Sequence, residues 1–135
     1  MPTKIFVNLH VKELKRSVEF FTKVGYTFNE QFTDENATCM VISDTIYVML
    51  LIEPFFESFS DRKVCDTSKY MEANIALDCE NRREVDEMVA KAVAAGATTP
   101  VPPQDHGFMY EYGFTDLDGH AWSYFYMDMS AVPQQ

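Results

Sequence analysis

The feature that most constrains the fold of this chain is an internal duplication. Phe6 lies in a strand-like run near the start, and Asn74 occupies the matching position of a similar run 68 residues later. Gly25 and Gly96, which follow the predicted helix of each copy, are 71 residues apart. A chain of 135 residues holds two such copies, too few for a solenoid and enough for one domain built from two modules.

Each copy shows the same order of predicted elements. Runs rich in β-branched and aromatic residues predict strands, and apolar residues at helical spacing predict one helix per copy. The first copy has strands over residues 5–11, 26–32, 38–42 and 46–52, with a helix whose apolar positions are Leu14, Val18 and Phe21. The second has strands over residues 73–79, 97–99, 108–115 and 120–127, with helix positions Val85, Met88, Val89 and Ala92.

This order predicts an α+β fold of tandem βαβββ modules. We place module 1 at about residues 4–53, a linker at 54–69 and module 2 at about 70–128, all within a single domain, 1–135. Glycine after each helix supports the predicted helix ends, because it adopts the backbone conformation that closes a helix without strain.

The charge balance limits the classes of partner. Asp and Glu outnumber Lys and Arg 21 to 11, which gives a formal net charge of -10. Such a chain repels phosphate backbones and anionic lipid, so we expect no nucleic-acid partner, no membrane partner and a cationic or neutral small molecule instead. The three cysteines are widely and irregularly spaced, which favours a reduced, cytoplasmic protein over a disulfide framework.

Two segments carry a family resemblance. Residues 114–122 read Phe-Thr-Asp-Leu-Asp-Gly-His-Ala-Trp, and residues 8–14 lead from a strand into a helix as Asn-Leu-His-Val-Lys-Glu-Leu. With the duplication, they resemble the vicinal oxygen chelate superfamily of glyoxalase I, extradiol dioxygenases, fosfomycin-resistance enzymes and bleomycin-resistance proteins. The resemblance implies an open, curved mixed-sheet barrel with helices outside, a ligand cavity between the modules, and a homodimer.

The resemblance also identifies the positions where enzymes of this superfamily hold a divalent metal. In this chain those positions carry side chains of a different kind, namely Phe6, Met49, Asn74 and Ser123. Such centres depend on imidazole nitrogen or carboxylate oxygen, which none of the four provides. We therefore predict no metal ligand and no cofactor, and we assign the four residues to ligand binding. A divalent metal held by displaced ligands remains the alternative.

The first strand offers a candidate acid/base residue. Because side chains alternate along a strand, Phe6, Asn8 and His10 share one face. Imidazole suits general acid/base catalysis at neutral pH, so His10 is a candidate catalytic residue, with a partly exposed histidine of no chemical role as the alternative. Asn8 and Asp78, the counterpart of His10 in the second copy, are candidate ligand-binding residues. We expect His120 to brace the turn that precedes it.

The strand at 108–115 offers a carboxylate. One of its faces carries only aromatic residues, at positions 108, 110, 112 and 114, and the other carries Glu111. A one-residue change of register would exchange the two faces, so the sequence leaves open which one meets the cavity. The resemblance implies that Glu111 faces it with Ser123, as a candidate catalytic residue or partner of a cation. His106, in the preceding loop, is a candidate ligand-binding residue, whereas Arg82 and Arg83 are assigned to a solvated helix face.

These observations support two functions. The first is a small-molecule binding protein, similar to the bleomycin-resistance branch, without the usual metal centre. The second is a lyase, isomerase or dioxygenase-type enzyme of the same superfamily. It would use either displaced metal ligands or metal-free acid/base chemistry.

Overall fold

The computed structural model describes residues 3–131. The chain divides into two compact units, Met1–Asp66 and Thr67–Gln135. Each unit contains one four-stranded mixed sheet and at least one helix, so the α+β class and the tandem βαβββ order are confirmed. The four strands of each sheet pair in a linear order, so each sheet has two edge strands.

The first unit follows the predicted order with one addition. Its elements are β1 (Ile5–Val11), α1 (Leu14–Val24), β2 (Thr27–Asn29), β3 (Ala37–Val41), β4 (Ile46–Ile52) and α2 (Glu53–Glu57). The sheet order is β1-β4-β3-β2, with β1 parallel to β4 and the other pairs antiparallel. The short helix α2 lies at the start of the segment that we predicted to be a linker.

The predicted strand over residues 26–32 is wrong in its second half. The Asn29 side chain accepts a hydrogen bond from the backbone N–H of Gln31, at 2.9 Å, and a 3-10 turn follows over Glu30–Phe32. A side chain that satisfies backbone N–H groups locally competes with the ladder, which ends the strand at Asn29.

The core of the first unit lies between α1 and one face of the sheet. The buried positions of α1 are Ser17, Phe20, Phe21 and Val24. Of the three predicted apolar positions, 14, 18 and 21, Phe21 alone belongs to this buried set. On this face of the sheet Leu9, Val11, Val48 and Leu50 are almost inaccessible, and the four consecutive β3 residues 37–40 are buried as well. Alternation leaves the opposite face of the sheet to Phe6, Asn8 and His10.

The second unit repeats the arrangement. Its elements are β5 (Asn74–Asp78), α3 (Arg82–Ala94), β6 (Gln104–Asp105), β7 (Met109–Thr115) and β8 (Ala121–Met127). The sheet order is β5-β8-β7-β6, again with the first pair parallel and the other pairs antiparallel.

The predicted strand over residues 97–99 is replaced by a single bridge between Thr98 and Thr115. The edge strand β6 instead begins at Gln104, after a segment with prolines at positions 100, 102 and 103. Proline has no N–H to donate to a ladder, so this segment cannot continue the pairing that Thr98 starts.

The two faces of the second sheet differ sharply in chemistry. Phe114, Trp122 and Tyr124 are buried, and the hydroxyl of Tyr110 donates to Asp86 of α3 at 2.6 Å. This hydrogen bond raises the pKa of Tyr110 to about 12. The aromatic face therefore packs beneath α3, which leaves Glu111 on the opposite face.

Among residues 3–131, no helix has the length and apolar character that crossing a membrane requires.

Candidate functional site

A cavity of about 270 Å³ lies on the face of the second sheet that α3 does not cover. Cross-strand pairing brings its polar side chains together, because residues opposite each other in a sheet point to the same side. Gln104 lies opposite Glu111, Gly113 opposite Ser123, and Asn74 opposite Ala121, next to Ser123 along β8. Asn74, Gln104, Glu111 and Ser123 thus all line this cavity.

The rest of the lining is mostly apolar. One wall is the proline-rich segment that precedes β6, and the apolar lining residues include Met71, Pro100, Val101 and Pro102. Gly113 lies on the floor, where a Cβ atom would come within 3.1 Å of the Trp122 carbonyl oxygen. The absence of a side chain there keeps the floor open. A small apolar pocket with a few convergent polar groups is the usual form of a small-molecule site.

Glu111 has an imidazole partner. His106 Nε2 lies 3.2 Å from Glu111 Oε1, and the two side chains are 41% and 39% exposed. The exposed fraction leaves the carboxylate accessible to a solute entering the cavity. The predicted candidates Glu111 and His106 are therefore brought together as a pair, and Glu111 shares the cavity with the predicted residues Asn74 and Ser123.

Asp78 lies apart from this group. It is the last residue of β5, pairs with Phe125 and is exposed. It faces the same side of the sheet as Ser123 but is not among the residues that line the cavity. Its role in ligand binding stays a prediction.

The first unit presents a more aromatic surface on the equivalent face. The Phe6 ring stacks on Tyr47 with centroids 4.8 Å apart, and the Asn8 amide donates to the Phe6 carbonyl oxygen at 3.3 Å. Met49 lies opposite Asn8 in the parallel pair β1–β4. The predicted residues Phe6, Asn8 and Met49 therefore share one face, as strand alternation requires.

His10 is almost inaccessible to solvent. Its side chain is 2% exposed, its Nδ1 is 3.4 Å from Glu53 Oε2, and the Phe56 ring meets it edge-on at 5.3 Å between centroids. Both partners belong to α2, which begins at the last residue of predicted module 1 and continues into the predicted linker, 54–69. A catalytic role for His10 stays a prediction, and its contacts within the unit are those of a packed side chain.

The family-like hairpin is organised by Asp116. One oxygen of this buried carboxylate accepts from the backbone N–H groups of Asp118 and His120, at 2.9 and 3.0 Å, and the other accepts from Trp122 Nε1 at 2.9 Å. Burial raises the pKa of Asp116, against the opposing effects of the His120 charge and these hydrogen bonds. The motif is therefore a structural clamp, and Asp116 is its centre.

The turn of this hairpin needs glycine at position 119. Gly119 has φ +85°, and a Cβ atom there would lie 2.8 Å from the Thr67 carbonyl oxygen. The Thr67 hydroxyl donates to the carbonyl oxygen of Asp118. The ring of His120 is buried, with Nδ1 3.4 Å from Glu72 Oε1, and its backbone N–H completes the clamp.

The positions that correspond to the superfamily's metal ligands do not fit a divalent metal. Phe6 supplies an aromatic ring already stacked on Tyr47. Met49, Asn74 and Ser123 supply a thioether, an amide and a hydroxyl, all without charge. Zn²⁺ and related ions in such centres require imidazole or carboxylate donors, so these residues offer no usual centre.

Sequence reasoning missed Gln104 and the proline-rich wall. Gln104 pairs with Glu111 because a short strand, β6, forms at residues 104–105. The sequence predicted a loop for this segment, directly before His106. The available signal was alternation: residues 104 and 106 share a side whenever the segment is extended.

Comparison with known protein families gives a match over the N-terminal part of the chain. A family model described as the N-terminal region of bleomycin resistance protein-like proteins matches residues 3–43. No curated protein matches the chain in sequence.

Solved structures match the chain over nearly its whole length. A hypothetical protein from S. aureus is 27% identical, with 93% of this chain and 95% of that chain covered and a TM-score of 0.78. A glyoxalase/bleomycin resistance protein/dioxygenase family enzyme from Burkholderia phytofirmans is 17% identical, with 90% and 96% covered and a TM-score of 0.76. The fosfomycin resistance protein FosX from Mesorhizobium loti is 14% identical, with 96% of each chain covered and a TM-score of 0.69.

These similarities confirm the resemblance to the vicinal oxygen chelate superfamily. The chain has the fold of its glyoxalase and bleomycin-resistance members, and its N-terminal residues match the bleomycin-resistance-like family model. Function does not follow from this fold alone, because one fold hosts many chemistries.

Proposed function

We propose that this protein binds a small organic molecule in the cavity of its second unit, without the metal centre of its enzymatic relatives. The observation that carries the proposal is the convergence of Asn74, Gln104, Glu111 and Ser123 on one cavity with an apolar wall. Two amides, a hydroxyl and a carboxylate can orient a polar group while the proline-rich wall covers an apolar one.

The ligand is expected to carry a cationic or strongly donating group. Glu111 is the one charged side chain among the described residues lining the cavity. A carboxylate bonded to a charged donor forms a stronger and shorter hydrogen bond than neutral partners do. The net charge of -10 also attracts cations to the protein, which again favours a cationic ligand.

The relatives support a small-molecule site of this kind. Structural neighbours are named for resistance to bleomycin and to fosfomycin, which are small molecules. The metal-free part of the proposal is supported by the donor chemistry of Phe6, Met49, Asn74 and Ser123.

A metal-free enzyme is the second candidate, and the contact between His106 and Glu111 favours it. An imidazole 3.2 Å from a carboxylate at the edge of a cavity can exchange a proton with a bound substrate. Following a bound compound by NMR over time separates the two functions, because an enzyme converts the compound and a binding protein returns it unchanged.

The binding proposal is tested with a matched pair of probes, benzamidine and its neutral analogue benzamide. NMR titration should show benzamidine binding about tenfold more tightly, because its amidinium can pair with the Glu111 carboxylate. Glu111→Gln should remove this preference. Glu87→Gln, which changes an exposed carboxylate on α3, should keep it.

Two outcomes would overturn the proposal. One is a preference for benzamidine that survives Glu111→Gln. The other is the absence of any thermal shift in a screen of planar cations, glycopeptide antibiotics and glutathione adducts, since a ligand that binds the native state must stabilise it.

The proposal includes a cytoplasmic homodimer. The family resemblance supports the dimer, and the wide, irregular spacing of the three cysteines supports a reducing compartment. Light scattering on the purified protein tests the dimer, with a mass twice the 15.5 kDa of one chain as the expected result.

A further inference from the structure

Arg82, at the start of α3, bonds to specific partners outside its helix, although its side chain is 44% exposed. Its Nη2 donates to Asp105 Oδ1 at 3.2 Å and to the Gly107 carbonyl oxygen at 3.0 Å. Its guanidinium carbon also lies 5.9 Å from the ring centroids of Tyr110 and Tyr126. One side chain thus joins α3, the segment at 104–107 and the aromatic face of the second sheet.

The partner carboxylate is itself fixed in place. Asp105 Oδ1 accepts from the backbone N–H of Gly107 at 2.9 Å, in addition to the bond from Arg82. The Gly107 hydrogen bond and then Arg82 lower the pKa of Asp105, which keeps it ionised as the partner of the guanidinium.

Strand alternation links this contact to the ligand cavity. Asp105 lies opposite Tyr110, on the face beneath α3, whereas Gln104 lies opposite Glu111, on the cavity face. His106 returns to the cavity side, where its ring contacts Glu111. Holding Asp105 on one side of this short strand therefore holds its two neighbours on the other.

The position of Arg82 in the helix is otherwise unfavourable. The first turn of a helix carries the positive end of the helix dipole, where a cation is disfavoured. The adjacent Arg83, by contrast, forms an exposed ion pair with Glu87 of the same helix, at 3.2 Å. A residue that breaks a local rule while bonding to specific partners elsewhere in the fold is typical of residues that serve a site.

We propose that Arg82 is a positioning residue of the ligand site. It fastens the segment 104–107 to α3 and so sets Gln104 and His106 against the cavity that Glu111 lines. The predicted effect of Arg82 on ligand affinity rests on the proposed binding function. Its predicted effect on the segment 104–107 rests on the structure alone.

The experiment compares Arg82→Gln with Arg83→Gln as the matched control. The His106 backbone N–H donates to the Met109 carbonyl oxygen at 2.7 Å, so its hydrogen exchange reports whether the segment is held. Arg82→Gln should speed this exchange about tenfold, because local opening becomes easier, while Arg83→Gln should leave it unchanged. Urea unfolding of each variant checks that the fold is intact.

Affinity and ring signals distinguish positioning from a structural role. Arg82→Gln should weaken benzamidine binding about fivefold, since the ordering of Gln104 and His106 must then be supplied on binding. It should also shift the NMR signals of the His106 ring as contact with Glu111 loosens. Arg82→Lys keeps the charge without the planar group that lies over the two tyrosines. It should restore the benzamidine affinity and the His106 ring signals in part.

Equal exchange at His106 in the two glutamine variants would overturn the proposal, as would faster exchange with an unchanged His106 ring signal. Unchanged benzamidine affinity in Arg82→Gln would also overturn it. Failure of benzamidine to bind the unaltered protein counts against the proposed function instead, and the exchange and ring signals then decide on Arg82.

Discussion

Asp116 gives the clearest case of one side chain that organises a piece of this fold. Its two carboxylate oxygens accept three hydrogen bonds, two from the backbone of the turn and one from the indole of Trp122. The indole is a donor only, so its burial depends on this acceptor. The conspicuous motif of the last hairpin thus stabilises the sheet on which the cavity is built.

Replacing Asp116 with asparagine tests this role. The amide oxygen can still accept from the turn, but the amide NH₂ group would face the Trp122 N–H, which leaves a buried donor without an acceptor. We expect Asp116→Asn to lower the free energy of unfolding by about 1–3 kcal/mol in urea denaturation at neutral pH. Asp44→Asn, at an exposed turn position, is the control and should stay within about 0.5 kcal/mol of the unaltered protein. An equal loss in both would contradict the clamp.

The same residue predicts a pH dependence. Because burial raises the pKa of Asp116 above 3.8, this carboxyl favours the folded state most below pH 3.8 and less as pH rises through the folded pKa. The difference in unfolding free energy between the unaltered protein and Asp116→Asn should therefore narrow from pH 3.5 to pH 7. A difference that widens over this range would show that the pKa is lowered rather than raised.

At the residue level, the sequence predicted some of the residues that line the cavity and not others. Asn74, Glu111 and Ser123, which line it, were predicted from the family resemblance. Gln104 was missed because its place depends on pairing with Glu111 across a turn, a non-local contact that local patterning does not encode. Arg82 was assigned to a solvated helix face because its partners come from a distant segment.

The two long helices begin in different ways. Asn81 precedes α3, and its side chain accepts from the Glu84 backbone N–H at 2.8 Å. Glu13 precedes α1 and makes no such capping bond. A side-chain cap satisfies one of the backbone donors that every helix start leaves without an intrahelical partner.

This contrast predicts unequal effects of alanine at the two caps. Asn81→Ala should lower the free energy of unfolding by about 1 kcal/mol, the usual contribution of an asparagine cap. Glu13→Ala should change it by less than about 0.5 kcal/mol, since no capping bond is lost. Urea denaturation followed by circular dichroism measures both. Equal effects would mean that the Asn81 side chain does not stabilise α3.

At the element level, the sequence predicted the order of strands and helices better than the ends of the strands. Both helices close at the predicted glycines, Gly25 and Gly96, which have φ of 122° and 118°. The strand over residues 26–32 was shortened by a local hydrogen bond that the Asn29 side chain accepts from the Gln31 backbone N–H, and the one at 97–99 by the prolines that follow. Periodicity along the sequence predicts a helix well, whereas the end of a strand depends on where a neighbouring strand can pair with it.

On the scale of the whole molecule, duplication has produced two units with the same topology and different chemistry. The face of the first sheet opposite α1 carries a stacked pair of aromatic rings, and the face of the second sheet opposite α3 carries a carboxylate, two amides and a hydroxyl. The fold could be read from the sequence because both copies repeat one pattern. The identity of the ligand could not, since it depends on a cavity whose walls come from separate segments.

The metal dependence of benzamidine binding is the decisive test of a metal-free cation site built on Glu111. Protein purified without chelator is titrated with benzamidine, and so is the same protein after exhaustive treatment with EDTA, with metal content measured on both samples. We expect equal dissociation constants and far less than one divalent ion per chain. Binding that is lost with EDTA and restored by one equivalent of zinc, nickel, manganese or iron would contradict a metal-free site.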